Sequence, residues 1–252
     1  MQMRSFLLGI MLIVLLRNGT SVAQTPSASK PVREPSPALA PVKDIAGLPR
    51  VLLIGDSISI GYTLRVRELL QGKAGVHRPP VNCSSTSYAL QNLDKWLGDK
   101  PWDLIHFNFG LHDAKLPPEG VRHSPPETYQ RNLEALVERM RKKSARLIFA
   151  TTTPVPNNGI LSPVRRFGSI DQYNSLARVT MQNQQIAIND LNAIVSPQAD
   201  KILIHRTDEQ GVIHWDVHFT AEGYDVLAKQ VAATIEAGLA KPANNPIIPA
   251  KN

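Results

Sequence analysis

The stretch Val51-Leu-Leu-Ile-Gly-Asp-Ser57 decides the fold that we expect for this chain. Four apolar residues in succession are typical of a strand that is buried on both faces of a parallel sheet. The run stops at a small polar turn, so the hydroxyl of Ser57 is predicted at the carboxyl end of a buried strand. A hydroxyl is a weak nucleophile at its own pKa. A catalytic Ser57 therefore needs a base and oxyanion donors from elsewhere in the sequence.

Apolar runs and amphipathic patterns alternate along the rest of the chain. The strand-like runs lie at residues 51–54, 75–77, 104–109, 147–150 and 186–188. Helical spacing of apolar residues lies at 62–70, 88–97, 129–141, 171–182 and 221–237. Strands that alternate with helices indicate an α/β protein. We expect a three-layer α/β/α domain with a flavodoxin-like, doubly wound, parallel five-stranded sheet of strand order 2-1-3-4-5.

The N-terminal residues have the pattern of a secretory signal peptide, which we assign to residues 1–23. Arg4 precedes an apolar run of eleven residues at 6–16, and Ser21-Val-Ala23 has the small residues of a cleavage site. The apolar run is shorter than the roughly 20 residues that a membrane-spanning helix needs. We therefore expect a secreted or periplasmic protein without a stable membrane anchor after cleavage.

Composition sets the remaining domain boundaries. Residues 24–46 are rich in Pro, Ser and Ala and predict a flexible linker. Residues 47–239 are long enough for one domain with a single core, and residues 240–252 predict a disordered tail.

Charge and cysteine content exclude several classes of function. The net charge of +7, from 28 basic and 21 acidic residues, falls to +5 when Arg4 and Arg17 leave with the signal peptide. These charges are scattered without interleaved aromatic residues, so no nucleic-acid partner is expected. Cys83 is the single cysteine, which excludes an internal disulfide and a paired-cysteine metal site. We interpret Cys83 as a small buried residue, because a nucleophilic thiol needs a lowered pKa.

Two further segments supply groups that Ser57 needs. Gly110-Leu-His-Asp113 follows the third predicted strand, and Asp216-Val-His218 precedes the last helix, which Thr220 can cap. Ligands of doubly wound sheets bind beyond the carboxyl ends of the strands, so we expect both segments to meet Ser57 there. Four candidate pocket residues belong to the same edge: Asp56, Asn108, Asp113 and Thr153.

These segments resemble the SGNH hydrolase (GDSL-type esterase/lipase) family, whose blocks carry a serine, a glycine, an asparagine and a histidine. The resemblance runs from Val51 to the final helix and implies the SGNH hydrolase fold. Gly55-Asp56-Ser57 matches the first block. The match implies that Ser57 is the nucleophile and that its backbone N–H is an oxyanion donor. The resemblance also implies a hydrolase that needs no cofactor and no metal.

Three positions depart from the family pattern. Ser84 stands in the place of the family glycine, whose backbone N–H is the implied second oxyanion donor. His112 stands in the place of the asparagine, and a neutral imidazole donates one hydrogen bond there. Trp215 stands three residues before the last histidine, where the family usually has an aspartate.

His218 is the implied general base that takes the proton of Ser57. Asp216 lies two residues before His218, and in an extended segment the two side chains share a face, so Asp216 is the candidate orienting acid. A Ser-His dyad with a backbone carbonyl in that role is the alternative. His214, Asp216 and His218 also alternate as metal ligands do, but no further ligand set accompanies them, so we favour a metal-free hydrolase.

The expected function is that of a secreted serine esterase that hydrolyses carboxylic esters through an acyl-enzyme. The substrate is a small-molecule or glycan ester, and O-acetylated carbohydrate leads by resemblance alone. An O-acyltransferase with the same residues and a catalytically weak glycan-binding domain are the alternatives. Arg165 and Arg166, in the loop after the fourth strand, are interpreted as a solvated charge pair, with an anionic substrate group as the alternative contact. The sequence does not indicate the oligomeric state.

Overall fold

The computed structural model describes residues 36–116, 124–144 and 146–241. The strands are β1 (Arg50–Ile54), β2 (Gly75–His77), β3 (Leu104–Phe107), β4 (Lys115–Leu116), β5 (Leu147–Ala150), β6 (Ile160–Leu161), β7 (Arg166–Phe167), β8 (Ala187–Asn189), β9 (Leu203–Thr207) and β10 (Ile213–Phe219). The α-helices are α1 (Ser57–Leu69), α2 (Thr86–Leu97), α3 (Leu111–Ala114), α4 (Pro126–Arg141), α5 (Ile170–Asn183), α6 (Leu191–Val195), α7 (Ala199–Ile202) and α8 (Ala221–Ala240).

The central sheet is parallel and has the order β2-β1-β3-β5-β8. Numbered along the chain, these strands follow the order 2-1-3-4-5, which confirms the predicted topology. Helices α1 and α8 pack against each other, and α2, α4 and α5 form a second packed group. The sheet is flanked by these helices, as the continuous apolar strands indicate.

The hydrophobic core lies between the sheet and the helices. Phe107 of β3 and Phe149 of β5 are fully buried, with ring centroids 5.4 Å apart in an edge-to-face arrangement. Burial of each such side chain contributes about 1.5–3 kcal/mol. Cys83 is also fully buried, and burial raises the pKa of its thiol to about 11. The thiol is protonated at neutral pH, which suits a core residue and not a nucleophile.

Two small sheets accompany the central one, and the sequence did not predict them. One has the order β6-β10-β9, and the other pairs β4 with β7. Strands of two residues, such as β4, β6 and β7, are too short to leave a periodic signal. From His214 to the end of β10 the burial alternates, so that Trp215, Val217 and Phe219 point inward while the residues between them are partly exposed.

The first described residues lie against the domain. Ala38 is 1% exposed, and the carboxylate of Asp44 forms ion pairs with Arg50 at 2.8 Å and Lys100 at 2.9 Å. Ala38 and Asp44 belong to the predicted linker. The first part of that linker, the predicted signal peptide and nearly all of the predicted tail lie outside the described residues. Within the part of the chain that the structure describes, no helix has the length and apolar character needed to cross a membrane.

Candidate active site

The turn after β1 presents Ser57 as the first residue of α1. Asp56 caps this helix, since its carboxylate accepts a hydrogen bond of 2.9 Å from the Ile58 backbone N–H. The hydroxyl of Ser57 therefore lies at the positive end of a 13-residue helix. That end favours negative charge, as a nucleophilic oxygen and a tetrahedral intermediate require.

A buried arginine that sequence reasoning missed supports this turn. Arg78, which follows β2, is 7% exposed. Its guanidinium donates to the carbonyl of Gly55 at 3.2 Å and to the hydroxyl of Ser59 at 3.1 Å. Both acceptors flank Ser57, so Arg78 fixes the backbone on either side of it. No motif marks Arg78, because its role depends on the packing of β2 beside β1.

The partly exposed face of β10 brings His218 to Ser57. The Nε2 atom of His218 lies 2.9 Å from the Oγ atom of Ser57, across 161 residues of sequence. On the other side of the ring, Nδ1 lies 2.8 Å from Oδ1 of Asp216. A carboxylate only accepts, so Nδ1 carries the proton and Nε2 accepts from the serine hydroxyl. This is the arrangement of a nucleophile, a base and an orienting acid.

The strand geometry explains why the acid is two residues from the histidine. Asp216 and His218 share one face of β10, whereas Trp215 points to the opposite, buried face. Trp215 is 2% exposed and its Nε1–H donates to the carbonyl of Asn158 at 2.8 Å. The residue in the usual place of the aspartate is thus a core residue. The distances favour an Asp216–His218–Ser57 triad over the dyad.

The electrostatics of Asp216 keep its carboxylate ionised. Burial alone raises the pKa of Asp216. This effect is outweighed by the hydrogen bond and charge of His218, the hydrogen bond of the Val217 N–H and the charge of Arg165, so the pKa lies below its usual value. Arg165 places its Nη2 atom 3.0 Å from Oδ1 of Asp216. Sequence reasoning missed this contact, because the two residues are 51 positions apart and meet only through the path of a loop.

Ser84 and His112 contact each other. The backbone of Ser84 has a φ of +54°, in the left-handed region that glycine adopts most easily. Its N–H donates to Oδ1 of Asn82 at 2.9 Å. Its Oγ atom lies 3.2 Å from Nδ1 of His112. The Ser84 backbone N–H is therefore hydrogen-bonded to Asn82, and the Ser84 hydroxyl contacts the imidazole of His112.

A glycine and a buried carboxyl group hold His112 in place. Gly110, with φ of +146°, precedes α3, and a Cβ atom there would overlap the hydroxyl of Thr152. Asp113 is fully buried and accepts from the backbone N–H of Thr86 at 3.0 Å and from its hydroxyl at 2.5 Å. Burial raises the pKa of Asp113 despite these bonds. Asp113 thus ties α3, which carries His112, to the start of α2.

The other candidate pocket residues line a small cavity beside the nucleophile turn. Asp56, Asn108 and Thr153 border a space of about 260 Å³, counting the part open to solvent. Asp113 is not among the lining residues and has the structural position given above. The wall also contains the side chains of Ile58, Tyr62, Leu111 and Leu191, together with three hydroxyl residues, Ser59, Thr151 and Thr152. The Asn108 amide also donates to the carbonyl of Ala150 at 2.7 Å, which joins the ends of β3 and β5.

The alternating residues of β10 do not converge as metal ligands. His214 places Nε2 2.7 Å from Oδ2 of Asp208, in the turn between β9 and β10. Over the described ranges, no group of three His, Cys, Asp or Glu side chains is placed to hold a metal ion. Asp216 and His218 are instead engaged with each other and with Ser57.

Comparisons with known proteins identify the family and the fold. Residues 53–226 match the sequence model of the GDSL-like lipase/acylhydrolase family. The structure is similar to that of the lipase/acylhydrolase from Enterococcus faecalis, with a TM-score of 0.58 and 19% identity over 75% of this chain and 96% of that chain. It is also similar to an acetylxylan esterase from Geobacillus stearothermophilus, with a TM-score of 0.57 and 18% identity over 81% of this chain and 97% of that one. These two similarities concern the fold. Among curated proteins, no sequence matches the chain significantly.

Proposed function

Because the chain belongs to the GDSL-like lipase/acylhydrolase family and is a carboxylic ester hydrolase, we propose that it is a secreted serine esterase that removes short acyl groups, acetyl above all, from O-acylated carbohydrate. One observation carries the proposal. The Oγ atom of Ser57 lies 2.9 Å from Nε2 of His218, whose Nδ1 lies 2.8 Å from Asp216. A base within hydrogen-bond reach is what a serine hydroxyl needs to become a nucleophile.

Acylation begins with the attack of Ser57 on the ester carbonyl. As the Oγ–C bond forms, Nε2 of His218 takes the hydroxyl proton, and Asp216 stabilises the resulting imidazolium. When the tetrahedral intermediate collapses, the bond to the alcohol oxygen breaks and the same proton passes from Nε2 to that oxygen. The alcohol leaves, and the acyl group remains bonded to Ser57.

Deacylation repeats the steps with water in place of the alcohol. Nε2 of His218 takes a proton from water as the water oxygen attacks the acyl carbon. The proton then returns to Oγ of Ser57 as the carboxylic acid leaves. Asp216 supports the imidazolium in both halves of the reaction, so it acts on whichever half limits kcat.

The charge of the tetrahedral intermediate falls at the start of α1. We assign the Ser57 backbone N–H to the oxyanion, because it lies in the first turn of this helix. We assign the second donor to Nε2–H of His112. A Ser84 hydroxyl that donates to Nδ1, at 3.2 Å, places the ring proton on Nε2. In this proposal the side chain of Ser84 contributes to the oxyanion hole through His112, whereas its backbone N–H donates to Asn82.

Two observations support a short acyl group on an extracellular glycan. A similar structure is that of an acetylxylan esterase. The N-terminal residues have the pattern of a signal peptide, which directs a protein out of the cytoplasm, where it can encounter extracellular polysaccharides. The complete triad geometry counts against the catalytically weak glycan-binding domain, since binding alone needs no base beside the serine.

The test is hydrolysis of 4-nitrophenyl esters and of acetylated xylo-oligosaccharides by the purified chain. We expect hydrolysis of the acetate, activity that falls as the acyl chain lengthens, and release of acetate from the oligosaccharide. Ser57→Ala and His218→Ala each lower kcat by at least about 1000-fold. No activity in the unmutated protein, or undiminished activity in both variants, would overturn the proposal.

Product analysis in the same assay distinguishes hydrolysis from acyl transfer. The acyl-enzyme is shared by both reactions, and the outcome depends on whether water or a sugar hydroxyl attacks it. We expect free acetate as the product with and without an added oligosaccharide acceptor. Acetylated acceptor as the main product would assign the chain to the transferases.

A further inference from the structure

The loop between β5 and α5 brings a cation to the candidate triad acid. Nη2 of Arg165 lies 3.0 Å from Oδ1 of Asp216, the oxygen that also faces Nδ1 of His218. The side chains of Arg165 and Asp216 are 20% and 26% exposed. This ion pair is therefore partly shielded from solvent, unlike a fully exposed surface pair.

The loop is attached to the strand that carries the triad acid and base. Its strand β6 pairs in parallel with β10, and the Ser162 N–H donates to the carbonyl of Trp215 at 2.7 Å. The Trp215 indole donates in turn to the carbonyl of Asn158. Gly159 has a φ of +132°, and a Cβ atom there would lie 2.5 Å from the carbonyl of Ile213. This close approach fixes the loop on β10.

The other end of the loop is attached beside the proposed oxyanion donor. Strand β7 pairs with β4, and the Gly168 N–H donates to the carbonyl of Ala114 at 2.7 Å. Ala114 is the last residue of α3, the helix that carries His112. Arg165 lies between these two attachments, so the position of its backbone is set from both sides.

We propose that Arg165 is a positioning residue that holds the Asp216 carboxylate in the orientation His218 needs. This inference rests on the proposed esterase function. A carboxylate turns about its Cβ–Cγ bond, and the contact of Arg165 Nη2 with Oδ1 limits that rotation together with the Val217 N–H, which donates to the same oxygen at 2.7 Å. Trp215 stands where the family has its acid, and here it anchors the loop that brings Arg165 to the acid in the next position.

The experiment is a double-mutant cycle on the full chain with 4-nitrophenyl acetate. It compares Arg165→Met, Asp216→Ala and the double variant. We expect Arg165→Met to lower kcat by about 10-fold and to change KM by less than about 2-fold, because orientation acts on the chemical step. With Asp216→Ala already present, the same substitution lowers kcat by less than about 2-fold, because its target is gone.

Arg165→Lys and Arg65→Met are the matched variants. Arg165→Lys keeps the charge and recovers part of the lost kcat. Arg65→Met removes an ion pair of 2.7 Å with Asp225, between α1 and α8, and leaves kcat unchanged. Thermal unfolding of every variant separates a loss of fold from a loss of orientation. If Arg165→Met does not fold, Arg165→Lys and Arg165→Gln take its place in the cycle.

Two results would overturn the role of Arg165. Equal losses of kcat with and without Asp216 would show that Arg165 acts independently of the acid. A raised KM with unchanged kcat would assign Arg165 to substrate binding. Both results require an active wild-type enzyme. A wild type without esterase activity would overturn the proposed function itself, so the two failures are distinguishable.

Discussion

Asp216 is the residue whose role depends most directly on strand geometry. Asp216→Asn keeps the shape of the side chain but turns an acceptor-only group into one that also donates, so His218 loses the constraint on its tautomer. We expect kcat for 4-nitrophenyl acetate to fall by more than about 10-fold. Asp208→Asn is the control, because Asp208 pairs with His214 in the adjacent turn. A loss smaller than 10-fold would favour the Ser-His dyad.

At Ser84 we expect the same side chain to lower the stability of the fold and to raise the activity of the enzyme. A side chain at a φ of +54° costs about 1–2 kcal/mol relative to glycine. Ser84→Gly removes this cost together with the hydroxyl that faces His112. We expect a higher melting temperature and a kcat lowered by about 10-fold, part of the loss typical of an oxyanion donor. Melting curves and steady-state kinetics on the same preparation test both halves. An unchanged kcat would show that the hydroxyl has no catalytic part.

At the scale of the element, strand β3 carries a pH-sensitive residue in the core. His106 is fully buried, burial lowers its pKa to about 4, and its Nε2 accepts from the Asn189 amide at 3.1 Å. Below about pH 6.5 the unfolded chain binds a proton at this histidine that the folded protein excludes. The free energy of unfolding therefore falls as the pH drops from about 6.5 to 4, by roughly 3 kcal/mol from this group.

His106→Leu tests that pH dependence. The variant has no imidazole to protonate, so we expect a smaller loss of stability between pH 7 and pH 4.5 than in the wild type. Urea unfolding at the two pH values gives the difference for each protein. Comparing the change in unfolding free energy between the two pH values cancels the stability cost of the substitution itself. It also cancels the titration of the carboxylates that the variant and the wild type share. Equal losses in the two proteins would contradict the role of His106.

At the scale of the whole molecule, the central sheet was predictable and the loops above it were not. The three inner strands of that sheet, β1, β3 and β5, are largely apolar, and right-handed crossovers leave few possible orders. Ser57 and His218 lie in motifs, so the sequence singled them out. Arg165 and Arg78 lie in no motif, because one acts through the course of a loop and the other through packing below the nucleophile turn. The contact between Ser84 and His112 joins two positions that depart from the family pattern, and their sequence positions give no sign that they are neighbours.

The separation of 161 residues between Ser57 and His218 also has a consequence for biosynthesis. Ser57 lies in the first helix of the domain and His218 in its last described strand, so a growing polypeptide contains no Ser57–His218 pair. The hydrolytic centre assembles only when β10 docks beside the start of α1. The appearance of turnover during refolding therefore reports the completion of the domain.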